Sequence, residues 1–141
     1  MIVVETLVNK NIQTVWECWT MPEHIVNWNF ASEDWHAPAA ENDLNVGGKF
    51  TYTMAAKDGS MSFEFGGIYH EIIPFKKIRY QLLDDRWVEI YFEEMADGVR
   101  IVEHFEPETE NSHELQQGGW QAILNNFKRY VESKLYSETS A

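Results

Sequence analysis

Apolar side chains alternate with polar ones through most of the middle of the chain, then recur at three- and four-residue steps near its end. Phe50, Tyr52 and Met54 alternate with Lys49, Thr51 and Thr53, and Met61, Phe63 and Phe65 alternate with Ser62 and Glu64. Ile78, Tyr80 and Leu82 repeat the pattern, as do Val88, Ile90 and Phe92, then Val99, Ile101 and Phe105. A period of two marks half-buried strands whose successive side chains point to opposite faces. The turns are Lys57-Asp58-Gly59-Ser60, Asp84-Asp85 and Ala96-Asp97-Gly98, and Asp-Gly is a strong hairpin signal. Strands joined this tightly must be antiparallel.

Ahead of this block, Ile2 to Val8 is rich in Ile, Val and Thr and predicts a first strand. Asn11 offers a cap to a short helix that places Val15, Trp16 and Trp19 on one side. Thr20-Met21-Pro22-Glu23 predicts a second short helix, with Thr20 as cap, Glu23 as its capping-box partner and Pro22 in the first turn. Ile25, Val26 and Trp28 form its apolar stripe. An irregular strand around Trp35 and then a loop lead to Gly47-Gly48, where the backbone can turn sharply or bulge. Gly66-Gly67 predicts a bulge or bend within a strand that resumes to Pro74.

After a connector at Pro107 to Glu110, Asn111 with Glu114 resembles a capping box. Leu115, Trp120, Ile123, Leu124, Phe127, Tyr130 and Val131 then predict one long amphipathic helix over roughly 112–135. Gly118-Gly119 near its start costs about 1 kcal/mol per Gly relative to Ala. That cost suits a place where the backbone nears the sheet or bends over a ligand. Residues 136–141 are expected to fray.

The 141 residues fit one domain, 1–141, able to form its core without a staple. The single cysteine, Cys18, allows no intrachain disulfide and fits a reducing compartment. The start, Met1-Ile2-Val3-Val4-Glu5, lacks the basic and apolar regions of a signal peptide, and no apolar run is long enough to span a membrane. A cytoplasmic protein is expected. With 11 basic and 23 acidic residues the formal net charge is −12. That charge argues against nucleic acid and anionic lipid surfaces as partners.

Six Trp, six Tyr and eight Phe are many wide, flat side chains for so small a domain. They suit the wall of a pocket as well as a core. Inward strand parity would supply Phe50, Tyr52, Met54, Phe63, Phe65, Tyr80, Ile90 and Phe92 to such a wall, alongside Ile78, Leu82 and Val88. Trp120, Leu124 and Phe127 would face them from the helix, with Trp28 and Trp35 near one mouth. Parity with Val99, Ile101 and Phe105 also sends Glu103 inward, where a lone carboxyl could act as acid or base. A salt-bridged or exposed Glu103 is the competing expectation. The five histidines show no ligand spacing and Cys18 has no Cys partner, so no metal is expected. No glycine-rich loop opens a helix and no serine sits in a nucleophile elbow, so no phosphate cofactor or serine hydrolysis is expected.

Several motifs appear together and in order: Val15-Trp16, Thr20-Met21-Pro22-Glu23, Trp28, Asp43-Leu44-Asn45-Val46-Gly47-Gly48-Lys49-Phe50, Gly67-Ile68-Tyr69-His70-Glu71-Ile72-Ile73-Pro74 and Gly119-Trp120. On these the chain resembles the START-like (SRPBCC) superfamily, and within it the family named after the activator of heat-shock protein 90 ATPase. The resemblance implies an α+β helix-grip fold, a curved antiparallel sheet wrapped around the long C-terminal helix with a cavity between. It carries no shared catalytic residues.

The expected function is therefore non-catalytic binding of a small hydrophobic or amphipathic ligand, such as a lipid or a polyketide-like ring. A cyclase- or hydrolase-like enzyme using Glu103, Tyr52 or Tyr80 is the first alternative. A protein-interaction module, acting as a co-chaperone or stress-response factor with a chaperone as partner, is the second. In the eukaryotic activators this kind of domain follows a separate N-terminal domain important for chaperone binding, and the present sequence contains no counterpart.

Overall fold

The computed structural model describes residues 1–133. Its elements run β1 (Ile2–Val8), α1 (Ile12–Thr20), α2 (Pro22–Ile25), β2 (Trp35–Asn42), β3 (Lys49–Ala56), β4 (Ser62–Ile73), β5 (Lys77–Leu82), β6 (Trp87–Met95), β7 (Gly98–Phe105) and α3 (His113–Glu132). The strands form one antiparallel sheet in the order β1-β7-β6-β5-β4-β3-β2. Sequential hairpins build it from β2 to β7, and β1 closes the far edge against β7. The α+β helix-grip architecture expected from the sequence is therefore present. The expected fraying beyond residue 135 lies outside the described residues.

Inward parity follows the alternation read from the chain. In β7, Val99, Ile101, Glu103 and Phe105 are all buried, and Val88, Ile90 and Phe92 of β6 face the same side. β4 departs from the expectation. Its irregularity lies between Tyr69 and Glu71, leaving His70 as the extra residue, rather than at Gly66-Gly67. Phe65, Gly67 and Tyr69 thus share the inner face, and beyond the bulge Ile72 pairs with the buried Ile78. The glycines serve close approach instead. A Cβ on Gly67 would meet the Gln81 carbonyl oxygen at 2.5 Å and the Phe50 ring at 3.1 Å. β2 also reaches further than expected, to Asn42, accommodating Pro38 by a register shift between His36 and Ala39.

Two caps differ from the sequence reading. Asn11 does cap α1, accepting from the Thr14 N–H at 2.8 Å. Thr20, expected to cap α2, instead donates its hydroxyl to the Trp16 carbonyl at 2.8 Å, because it still belongs to α1. Met21 occupies the α2 cap position without a side-chain bond, and Pro22 begins the helix. At α3, Ser112 caps in place of Asn111, accepting from the Leu115 N–H at 3.1 Å. The helix phase is set by the stripe of Trp120, Leu124, Phe127 and Val131, whose face continues to Gln116 four residues before Trp120. Leu115 is 62% exposed and Gln116 is buried in its stead. Gln116 ties down the connector, donating to the carbonyls of Glu108 and Asn111 and accepting from the Glu108 N–H.

Candidate functional site

α3 seals one half of the sheet and leaves the other half open beneath it. Toward its C-terminal end, Leu124, Phe127 and Val131 are fully buried, and the helix packs on β1 and α1. Lys128 reinforces that end by donating to the Leu7 carbonyl, and Glu132 accepts from the Asn9 N–H at 2.9 Å. Here the rings interlock. Phe127 meets Trp19 and Trp28 edge-on, each at 4.8 Å between centroids, and Phe92 meets Trp16 at 5.2 Å and Trp19 at 5.6 Å.

Toward the N-terminal end of α3 the side chains run out. Gly118 and Gly119 offer none, and a Cβ built on either would touch nothing within 4 Å. The glycines are thus not there for close approach to the sheet. Trp120 does reach it, stacking on Phe105 at 3.9 Å with the rings 9° from parallel. Between Trp120 and the strands β3 to β5 lies a hollow of about 250 Å³. Phe50, Tyr52, Met54, Phe63, Phe65, Tyr80 and Glu103 line it from the strands and Trp120 from the helix, while Trp28, expected near a mouth, is a buried part of the wall. Phe63, half exposed, stands at its mouth, and Trp35 packs edge-on against Phe63 at 5.7 Å without reaching the hollow. Ile90, Phe92, Leu124 and Phe127 also stay outside it, within the sealed half.

Several lining residues were not singled out from the sequence as wall residues: Trp19, Asn29, Ala31, Tyr69, Gly119 and Ile123. Tyr69 and Ile123 had a usable signal, the first by alternation from Phe65 through Gly67, the second by helical spacing from Trp120. Asn29 and Ala31 follow α2 in irregular chain, where no period exists to read.

Polar groups enter this apolar space at a few points. Tyr69 donates its hydroxyl to Asn42 Oδ1 at 2.6 Å, and Asn42 Nδ2 donates to the Thr20 carbonyl at 2.7 Å. This relay fixes one end of the hollow to the end of α1. The Tyr52 hydroxyl lies against that of Tyr69. Burial pushes the phenol of Tyr69 up to about 12 and those of Tyr52 and Tyr80 well above their ordinary value. All three therefore keep their protons throughout the neutral range. Glu103 is 5% exposed, and burial pushes its carboxyl up to about 8. Asn29 is 6% exposed, and its Nδ2 is buried without a hydrogen-bond partner.

Among the described residues, no three His, Cys, Asp or Glu side chains form a group that could hold a metal ion, and no helix is long and apolar enough to cross a membrane. What the arrangement can do is surround a small apolar body and offer it a few oriented polar contacts.

Comparison with known proteins agrees with this fold. The family model described as activator of Hsp90 ATPase homolog 1-like protein matches residues 9–132. The solution structure of the AHSA1-like protein from Aeromonas hydrophila is similar, with a TM-score of 0.89 and 41% identity over 94% of this chain and 92% of that one. A protein from Cytophaga hutchinsonii, also solved in solution, shares 53% identity over 96% of this chain and 94% of its own, with a TM-score of 0.81. A Chromobacterium violaceum protein shares the fold at 23% identity, with a TM-score of 0.83 over 94% of this chain and 98% of its own. No curated protein matches.

Proposed function

The chain belongs to the family of activator of Hsp90 ATPase homolog 1-like proteins, and on that premise we propose that it binds a small apolar or amphipathic molecule between sheet and helix. The observation that carries this reading is the hollow of about 250 Å³ walled by aromatic rings. An apolar cavity of about 150 Å³ holds benzene, so this one has room for a molecule of one or two rings. Binding would rest on apolar burial worth about 25 cal/mol per Å², with the polar groups setting orientation. The family's description speaks of a chaperone ATPase, but the aromatic hollow, with the unpaired Asn29 amide on its wall, is enclosed within the fold. That favours a small ligand over a protein partner.

The reading is tested by solvent extraction of protein purified from cells, followed by mass spectrometry, and by thermal melting with added tetralin. A retained apolar species, or a melting temperature that climbs with tetralin concentration, supports it. The absence of both effects would overturn it.

Glu103 favours a second, enzymatic reading. A carboxyl titrating at about 8 beside an apolar ligand can exchange protons near neutrality. Hydrogen exchange at the acidic positions of 2-tetralone in heavy water, faster with the protein than with its Glu103→Gln variant, would support that role. Equal rates would reject it.

A further inference from the structure

Three polar groups of the interior are satisfied by no other part of the described chain, and all three line the same hollow. The Nδ2 of Asn29 is buried with no acceptor in reach. Neither the Glu103 carboxyl nor the Tyr80 hydroxyl makes a hydrogen bond or ion pair among the described residues, and both belong to buried residues. Tyr52 and Tyr69 differ, since their hydroxyls are engaged with one another and with Asn42. A buried polar group left unpaired costs about 1–3 kcal/mol. The Asn29 amide bears that cost, and Glu103 and Tyr80 line the same space, so a ligand held there meets all three.

The surroundings of Glu103 decide its form. Its register partners are Val4 on β1 and Ile90 on β6. From α3 the hollow receives Trp120 and Ile123, and from α1 Trp19, none of which carries charge. On β5, Tyr80 is the titratable group that faces it, and that phenol keeps its proton. No cation pairs with the carboxyl among the described residues, and a lone carboxylate here would carry a heavy desolvation cost. At neutral pH the group therefore holds its proton and joins the Tyr80 hydroxyl and the Asn29 amide as a donor.

We infer that this hollow selects an uncharged ligand bearing one or more acceptor oxygens, which the donors of Glu103, Tyr80 and Asn29 hold in place, over an amine of the same shape. The inference rests on the ligand-binding reading above and names the chemistry of that ligand. Ionisation of Glu103 turns a donor into a negative charge facing the ligand's oxygen, so such a ligand is released as the medium becomes alkaline. An ammonium would show the opposite trend, gaining a counter-ion as Glu103 ionises.

Three molecules on one two-ring skeleton test this: tetralin, 1-tetralone and 2-aminotetralin, titrated into the full chain by NMR at pH 7 and pH 9. Tetralone should bind about tenfold tighter than tetralin at pH 7, the equivalent of one well-made hydrogen bond. Its affinity should fall about tenfold by pH 9, as expected for a required proton that leaves near pH 8. At pH 9 the Glu103→Gln variant, whose amide keeps a donor, should bind tetralone about tenfold tighter than the unaltered protein. Asn29→Leu should shrink the preference for tetralone over tetralin severalfold, which tests the donor set independently of Glu103.

Tetralone no tighter than tetralin would overturn the inference while leaving ligand binding intact. So would 2-aminotetralin binding more tightly than tetralone at pH 7, or tetralone binding that holds steady or strengthens toward pH 9. If tetralin itself does not bind, the ligand-binding reading falls and the inference falls with it.

Discussion

The two halves of the interior use the same kinds of side chain to opposite ends. In the sealed half, Trp16, Trp19, Trp28, Phe92 and Phe127 meet edge-on at centroid distances of 4.8–5.6 Å for four of their pairs, with Leu124 and Val131 fully buried beside them. In the hollow half, Phe50, Tyr52, Tyr69 and Tyr80 crowd one another along the sheet, and a hollow separates them from Trp120 and Ile123 opposite. The difference comes from α3. Its C-terminal half fills the space with Leu124, Phe127 and Val131, whereas its N-terminal half supplies Gly118 and Gly119, with Leu115 turned outward. Aromatic content on the strands therefore does not distinguish a core from a container. The side chains of the facing helix do.

The contrast can be broken most forcefully in the sealed half. Phe127→Ala removes a ring with no exposure and two edge-on partners, and should cost about 3–5 kcal/mol in urea denaturation. The same change at Phe65, which borders the hollow and is half-buried, should cost clearly less. Equal losses would mean that the hollow half is packed as tightly as the sealed half.

A second test uses pH. The folded protein holds the Glu103 proton up to about pH 8, while an unfolded chain releases it near 4.5. The folded state thus binds the extra proton between those values, and stability from this group is full below about 4.5 and lost as pH rises to about 8. The slope is at most about 1.4 kcal/mol per pH unit. Glu103→Gln should remove this component, so that the difference in urea midpoint between variant and parent widens across the window and levels off above it. A difference that stays constant across the window would show the carboxyl to be solvated.

The gentlest change is Gly119→Ala. A Cβ there meets nothing, and the helix gains about 1 kcal/mol in propensity, which should appear as a higher denaturation midpoint. Destabilisation would show that the space above the hollow is occupied.

Much of this architecture was legible in the chain because strands announce themselves by alternation. The inward positions Phe50, Tyr52, Met54, Tyr80 and Glu103 all followed from a period of two, and the hairpins from their Asp-Gly turns. Tyr69 escaped because two glycines interrupt the apolar rhythm and the bulge at His70 shifts it by one residue. Asn29 and Ala31 escaped because irregular chain has no rhythm. The cap of α3 escaped because Asn111 and Ser112 are both competent, and Gln116 escaped because Leu115 is the apolar member of the pair although Gln116 lies four residues before Trp120. The vacancy itself is a property of distances between elements, to which neither period responds.

That vacancy is tested most directly by titrating the uncharged fluorescent probe N-phenyl-1-naphthylamine into the parent protein and into Gly119→Leu, whose new side chain would project where Gly119 borders the hollow. Saturable one-to-one binding by the parent, abolished in the folded variant, is the predicted result. No binding by the parent, or undiminished binding by the variant, would contradict it.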